Sequence, residues 1–304
     1  MNHANSVPYN HRMGQISRQI AAEFQRVGKQ RNPLRYEAKN IRESQKIPKD
    51  VKSIEQCVKS GLDPLHGAYA SMQNFVSLFS EGVSTLDACD PFCWIITKAE
   101  DEYLPGSPPM SPLTLSYFTT WAFFDVRFGP DRETIGTCLI DTAPIIGMDD
   151  AMLEIVRRFQ ETRMGIYEHQ GMNGSHFILR ELVTGREFKC HSSSGYSGKA
   201  GELWYVRVCP PLFGLFDYHV VFNTPYVLLN MTKDAWTAYL NKSIIGAKDQ
   251  PQALHEFLKF GPSPNHWNEF IFQAYHHYQS DAIFLAGLPD VRTSLPHGEL
   301  SREP

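Results

Sequence analysis

The sequence predicts an α+β protein in which helices pack around a small antiparallel β-meander or barrel. Three observations carry that prediction. Residues 164–229 form a run of short segments with period-two apolar alternation, separated by glycine turns. The chain on either side shows apolar residues at steps of three and four, the period of a helix. A content of 42% apolar and 12% aromatic residues in 304 supplies enough side chains for a large core.

The elements follow in order. Met13, Ile16, Ile20, Phe24 and Val27 make one apolar stripe on a helix over 12–27, with Gly28 past its end. Residues 28–50 read as a linker. Val51, Ile54, Cys57 and Val58 predict a second helix stopped by Gly61, and Pro64 opens a third that buries Leu65, Tyr69, Met72, Val76 and Phe79. Cys89 to Cys93 read as a turn. A proline-rich stretch over 100–112 separates this part from the rest. Ser111-Pro112 starts a segment over 113–128 with six aromatics in sixteen residues, a density that marks core on nearly every side. Asp125 and Arg127 beside it read as a surface or rim pair. Thr134 begins a short helix over 134–140, and Asp149 or Asp150 caps another with Met152, Leu153, Val156 and Phe159 inward.

The strands come next, over 164–169, 175–182, 187–191, 202–209, 218–222 and 226–229. In the fourth, Leu203, Tyr205 and Cys209 alternate with Trp204, Val206 and Val208, so both faces are apolar and the strand is central. Pro210-Pro211 ends it, since neither proline has an amide to donate. Behind the strands, Thr232 caps a helix through Trp236 and Leu240, a second runs over 251–260 to Gly261, and Pro264 starts a third with Trp267, Phe270, Ile271, Ala274 and Tyr278. The resulting organisation is a basic arm with an amphipathic helix (1–50), a helical segment (51–105), helices plus barrel (106–230), C-terminal helices (231–290) and an extended tail (291–304).

Charge is distributed unevenly. Residues 1–52 hold eleven Lys or Arg against four acids, a local +7, while the remainder, with eighteen against twenty-nine, sums to −11. Such a basic arm on an acidic body points to nucleic acid, to a protein partner, to a neighbouring copy in a homo-oligomer, or to an arm docked on its own body; docking is the favoured reading. No apolar run reaches the length of a membrane span, and a secretory leader is not expected. The expectation is a cytoplasmic protein whose six scattered cysteines are reduced core thiols.

The aromatic-rich helix ending Trp121-Ala122-Phe123-Phe124-Asp125, the short helix near Cys138 to Ile140, the capped helix, Leu182-Val183-Thr184-Gly185-Arg186-Glu187 and Gly201-Glu202-Leu203-Trp204-Tyr205-Val206-Arg207-Val208-Cys209-Pro210 resemble a group of uncharacterised bacterial proteins that often carry a SEC-C zinc motif. The resemblance covers residues 112–229. It implies helices plus a small barrel and no activity; the zinc motif itself is absent, Cys190-His191 being the only adjacent Cys-His pair.

Candidate sites are few. The serine- and glycine-rich loop over 192–201 places Gly198, Lys199 and Tyr196 together, but a phosphate-binding P-loop needs glycine at Ser193, a hydroxyl at Ala200 and a following helix. What survives is an anion held by backbone amides and one lysine, against the commoner alternative of a hairpin loop. Gly195 to Lys199 also fails the nucleophile-elbow pattern at its last position. Arg207, on an apolar strand, needs a carboxylate, with Glu181 or Asp217 nearest in the chain, or else faces a ligand. For metal, His176, Cys190 and His191 can meet across strands, and His266 and Glu269 stand one helical turn apart, yet neither set has a catalytic spacing such as H-E-x-x-H. For a nucleic-acid or partner arm the cations are Arg12, Arg18, Arg26, Lys29, Arg31 and Arg35. With no complete catalytic motif and no cofactor expected, the sequence favours a non-enzymatic binding module using the barrel and the arm, engaging protein or nucleic acid. The alternative is a metal-dependent hydrolase or nuclease built on the histidine and acidic clusters.

Overall fold

The structure, a computed structural model, describes residues 13–29, 61, 63–103, 112–192, 196–228 and 232–261. The helix expected over 51–58, the helix after Pro264 with His266 and Glu269, the tail, and Arg12, Arg31 and Arg35 lie outside the described residues.

Eight α-helices and six strands are present among the described residues: α1 (Gln15–Lys29), α2 (Pro64–Val83), α3 (Asp90–Tyr103), α4 (Pro112–Phe124), α5 (Ile135–Ile146), α6 (Asp150–Glu161), β1 (Met164–Asn173), β2 (His176–Glu181), β3 (Glu187–Ser192), β4 (Leu203–Cys209), β5 (His219–Val221), β6 (Tyr226–Leu228), α7 (Lys233–Ser243) and α8 (Gln250–Phe260). The α+β class holds.

Local chemistry fixes most helix starts. Asp63 accepts from the His66 amide at 2.8 Å just ahead of Pro64 at the first helical position. Thr134 and Thr137 exchange hydrogen bonds in a capping box, and Asp149 accepts from the Met152 amide at 2.8 Å. One expectation is corrected. Cys89 to Cys93 do not form a turn: a single 3₁₀ turn, Asp87–Cys89, leads directly into α3. Pro91 suggested a loop, but it sits in the first helical turn, where no amide donor is needed.

The strands pair in the order β1-β2-β3-β5-β4-β6, and β1 also pairs with β4, so five of them close into a ring with β6 added along β4. All pairings are antiparallel except β3–β5, where Cys190 lies beside His219 and Ser192 beside Val221. The sheet is therefore mixed rather than a plain meander: the loop after Pro210-Pro211 carries the chain across so that β5 closes the ring between β3 and β4.

Alternation then assigns each side chain. Tyr167, Phe177, Leu179, Cys190, Trp204, Val206, Val208 and Val221 form one buried cluster inside the ring. Leu203, Tyr205 and Cys209, from the outer face of β4, join the larger core made by the helices. That core is continuous from Ile16 and Ile20 of α1 through α2, α4, α5 and α6 to Leu254 and Leu258 of α8. The aromatics of α4 are buried on almost every side, as their density implied: Tyr117, Phe118, Trp121, Phe123 and Phe124 are all 8% exposed or less. Helices thus cover the ring along β1 and β4. None of the described helices is long and apolar enough to cross a membrane.

Candidate functional site

The loop residues marked by sequence close one end of the ring. His169, 1% exposed, stacks on Phe177 at 5.3 Å and lies tilted against Trp204 at 5.0 Å. Its Nε2 donates to the Ser197 carbonyl at 3.0 Å, and its Nδ1 accepts from the Gly171 amide at 3.0 Å. Those two partners suit only the neutral ring with the proton on Nε2, and burial accordingly lowers the His169 pKa. Gly198, at φ +66°, lets the loop lie on Trp204, since a Cβ there would fall 2.2 Å from the indole. Burial pushes the Glu202 carboxyl up, but donation from the Trp204 indole at 2.9 Å and from the Tyr196 hydroxyl holds it below its ordinary value. Tyr196 and Gly198 therefore pack the loop onto the ring, and Lys199 is exposed on it. Arg207 is not brought to this loop.

Arg207 lies on the helix-covered side of β4, 1% exposed, and its partner is neither Glu181 nor Asp217. Glu181 takes Arg163 at 2.7 Å and Asp217 takes Lys189 at 2.7 Å. Arg207 instead pairs with Asp125, which is buried at 6% exposure and is no rim residue. Lys259 of α8 donates to the other Asp125 oxygen at 2.8 Å and to the Thr162 carbonyl at 2.7 Å, while Arg207 donates to Thr162 O and Oγ1, both at 3.0 Å. Two buried cations share one carboxylate. Burial lowers the Lys259 pKa to about 8 against the pull of Asp125, and burial with the nearby Arg163 and Lys259 lowers His255 to about 4. Arg127, read beside Asp125 as its partner, pairs with Glu256 at 2.5 Å. The Arg207, Asp125 and Lys259 side chains are each 3% exposed or less, and their bonds tie the end of α4, β4 and α8 together.

The arm's helix is docked. The amides of Ile16 and Ser17 donate to the Glu133 carboxylate at 2.8 and 2.9 Å, the Ser17 hydroxyl adds a bond of 2.5 Å, and the Gln15 amide donates to Asp131 at 2.8 Å. A carboxylate thus meets the positive end of α1. Gly14 is required there, since a Cβ would lie 2.1 Å from Glu133. Arg18 stands 3.9 Å from Asp131 and Arg26 pairs with Glu23, so these two arm cations face acids; Lys29 ends the helix.

The open part of the ring is the outer face of β2 and β3; on β5 the outward Val220 is 0% exposed and joins the helix core, and the half-exposed Phe216 and Tyr218 just before it edge the open face. Here alternation turns Cys190 inward, 0% exposed, and leaves His176 and His191 outside with ring centroids 6.3 Å apart. The expected trio of His176, Cys190 and His191 is therefore split across the strand, and among the described residues no group of three or more His, Cys, Asp or Glu is placed to hold a metal ion. What assembles is a row of rings: His176 lies 4.7 Å from Tyr218, which lies 5.6 Å from Phe216, and His191 lies 6.3 Å from Tyr218. The Tyr218 hydroxyl donates to Asp63 at 2.7 Å, and His191 Nε2 stands 4.0 Å from the same carboxylate oxygen. Behind the row, His66 Nε2 meets the Phe222 carbonyl at 3.0 Å. Lys189 projects from β3 at the margin, and the loop before β5 exposes Phe213 (43%) and Leu215 (64%).

Asp63, His66, Tyr218, Phe216 and Lys189 were not marked by the sequence as site residues. His176, Lys189 and His191 do share outward parity on β2 and β3, which was the one available signal; Asp63 reads simply as a helix cap. No family model, curated protein or solved structure matches this chain.

Proposed function

We propose that the chain is a non-enzymatic binding module whose site is the open outer face of β2 and β3 with the segment just before β5, and that its ligand is single-stranded nucleic acid. The observation that carries this reading is the row His191, His176, Tyr218 and Phe216 beside Lys189. Flat side chains next to a cation offer stacking platforms for bases and a partner for phosphate, a combination that tolerates many sequences. Arg180, exposed on β2 opposite the exposed Glu187 of β3, is a further cation along the same face. The closed five-strand ring supports the reading by analogy of architecture: oligonucleotide-binding barrels of five strands use the face of their second and third strands and the adjoining loops. Analogy transfers no residue roles.

The test is binding of labelled RNA and DNA oligonucleotides to the full chain across a salt series. Stacking on one ring is worth about 1–3 kcal/mol per base, so Phe216→Ala is expected to weaken binding about tenfold or more, with circular dichroism checking that the variant is folded because Phe216 also packs against the helix core. Arg31→Gln with Arg35→Gln tests the arm's share through a shallower salt dependence. Substitution of the whole arm is avoided, because deleting it would also remove α1 from the core. Unchanged affinity in Phe216→Ala and Lys189→Ala, or no binding at low salt, would reject the site.

A further inference from the structure

We infer that this face prefers guanine, and that Asp217 selects it by accepting from the N1–H and the 2-amino group of a base stacked on the neighbouring rings. The inference rests on the single-strand reading above and names the base that the site takes. It starts from a carboxylate in an unexpected place. Asp217 follows Phe216 and precedes Tyr218, whose rings lie 5.6 Å apart, and its side chain is 80% exposed. A face that only gripped phosphate would gain nothing from an exposed negative charge there, since like charges repel. Folding does not explain it either: the pair with Lys189, at 2.7 Å, joins two side chains that water reaches and contributes little to stability.

Lys189 keeps the carboxylate ready. Its hydrogen bond holds Asp217 below the ordinary carboxylate value, so the group stays ionised and acceptor-only. A carboxylate has several acceptor positions and Lys189 takes one, on Oδ2, while the ammonium keeps further N–H donors for phosphate. Asp63, the other acid beside the rings, is buried at 9% exposure and already accepts from the His66 amide and the Tyr218 hydroxyl. In a single strand the Watson–Crick edge of each base is open to the protein. Guanine presents two adjacent donors along that edge, the N1–H and the 2-amino group, which match the two oxygens of one carboxylate. Adenine and cytosine each present an amino group beside a ring nitrogen that only accepts, and thymine presents one N–H between two carbonyls, so each sets an acceptor against the carboxylate. The rings thus take any base, and Asp217 adds a preference at one position.

The experiment measures the affinity of the full chain, at neutral pH and fixed low salt, for fluorescein-labelled oligo(dT) and for the same strand with one central guanine, hypoxanthine, adenine or cytosine. A bidentate contact to one base discriminates by about tenfold or more, so the guanine strand is expected to bind about tenfold more tightly than plain oligo(dT) or the adenine and cytosine strands. Hypoxanthine lacks only the 2-amino group and should lose most of that gain. Asp217→Asn should abolish the preference by weakening the guanine strand and tightening plain oligo(dT), because the negative charge beside the phosphates is gone. Circular dichroism checks that the variant is folded. Equal binding of the guanine, hypoxanthine and plain strands by wild type, or an Asp217→Asn variant that keeps the guanine preference, overturns this inference and leaves the binding reading standing. Absence of binding to every strand overturns the two together.

Discussion

The two sides of the ring start from the same pattern and end differently. On β4 the outward residues Leu203, Tyr205, Arg207 and Cys209 lie beneath helices, while on β2 and β3 the outward His176, Lys189 and His191 remain half-exposed. Arg207 under that cover had to find a buried carboxylate and found Asp125, which Lys259 also uses. His176 and His191, without cover, stay half-exposed and share one neighbourhood with Asp63. Cover converts polar side chains into structure; its absence leaves them available to a ligand.

The sharpest way to break the comparison is to remove the shared carboxylate. Asp125→Ala strands two cations that are 1% and 2% exposed. Leaving a buried charge uncompensated costs about 3–5 kcal/mol, so urea unfolding should show a midpoint far below wild type, or no folded protein at all. A loss under about 1 kcal/mol would mean that water reaches the cluster and that the covered side is not dry.

Glu133 gives the next largest effect. Its carboxylate takes two amides and a hydroxyl at the start of α1, and buried donors left unmatched cost about 1–3 kcal/mol. Glu133→Ala should release α1 before the ring unfolds, seen as faster hydrogen exchange over residues 16–26 with protection in β4 retained. Equal loss in both would show that the arm and the body unfold as one unit.

Lys259 sharpens the same side through pH. Its folded pKa, about 8, lies below the ordinary 10.5. The unfolded chain therefore holds the proton that the folded chain has shed across that window, and the sign makes folding more favourable as pH rises from 8 to 10.5. Buried tyrosines and thiols oppose this in the whole protein, so the readout is a difference. The stability of wild type minus that of Lys259→Met should grow between about pH 8 and about pH 10; a constant difference would place the lysine in contact with water.

Legibility followed sequence distance. The alternation in β4 sorted its residues onto the two faces that the structure shows, without saying which faced the ring's interior, and an arginine on an apolar strand announced a carboxylate. Which carboxylate was hidden, because Asp125 lies 82 residues away while Glu181 and Asp217 are near. Asp125 was misread for the same reason: beside Arg127 it looks like half of a local pair, and only the packing of α4 and α8 on β4 shows otherwise. The parallel β3–β5 contact had no turn to signal it. On the open face, His176 and His191 were noticed as possible ligands, but Cys190 was grouped with them by adjacency although period-two geometry turns neighbours to opposite sides. Asp63 and Tyr218 are 155 residues apart, and nothing short of the fold joins them.

The smallest expected effect is on the open face, and it is the control that gives the comparison its meaning. Lys189 and Asp217 form an ion pair at 2.7 Å, but the Asp217 side chain is 80% exposed. Exposed pairs contribute about 0–1 kcal/mol because water screens the charges and both side chains lose freedom in forming them. Lys189→Ala should therefore shift the urea midpoint by at most about a third of what Asp125→Ala does, while weakening oligonucleotide binding and lowering its salt slope by about 0.7. A charge that matters to binding and not to folding is what a ligand-facing surface requires. If Lys189→Ala unfolded the protein as Asp125→Ala should, the β2–β3 face would be a second structural cluster, and the difference between the two sides would vanish.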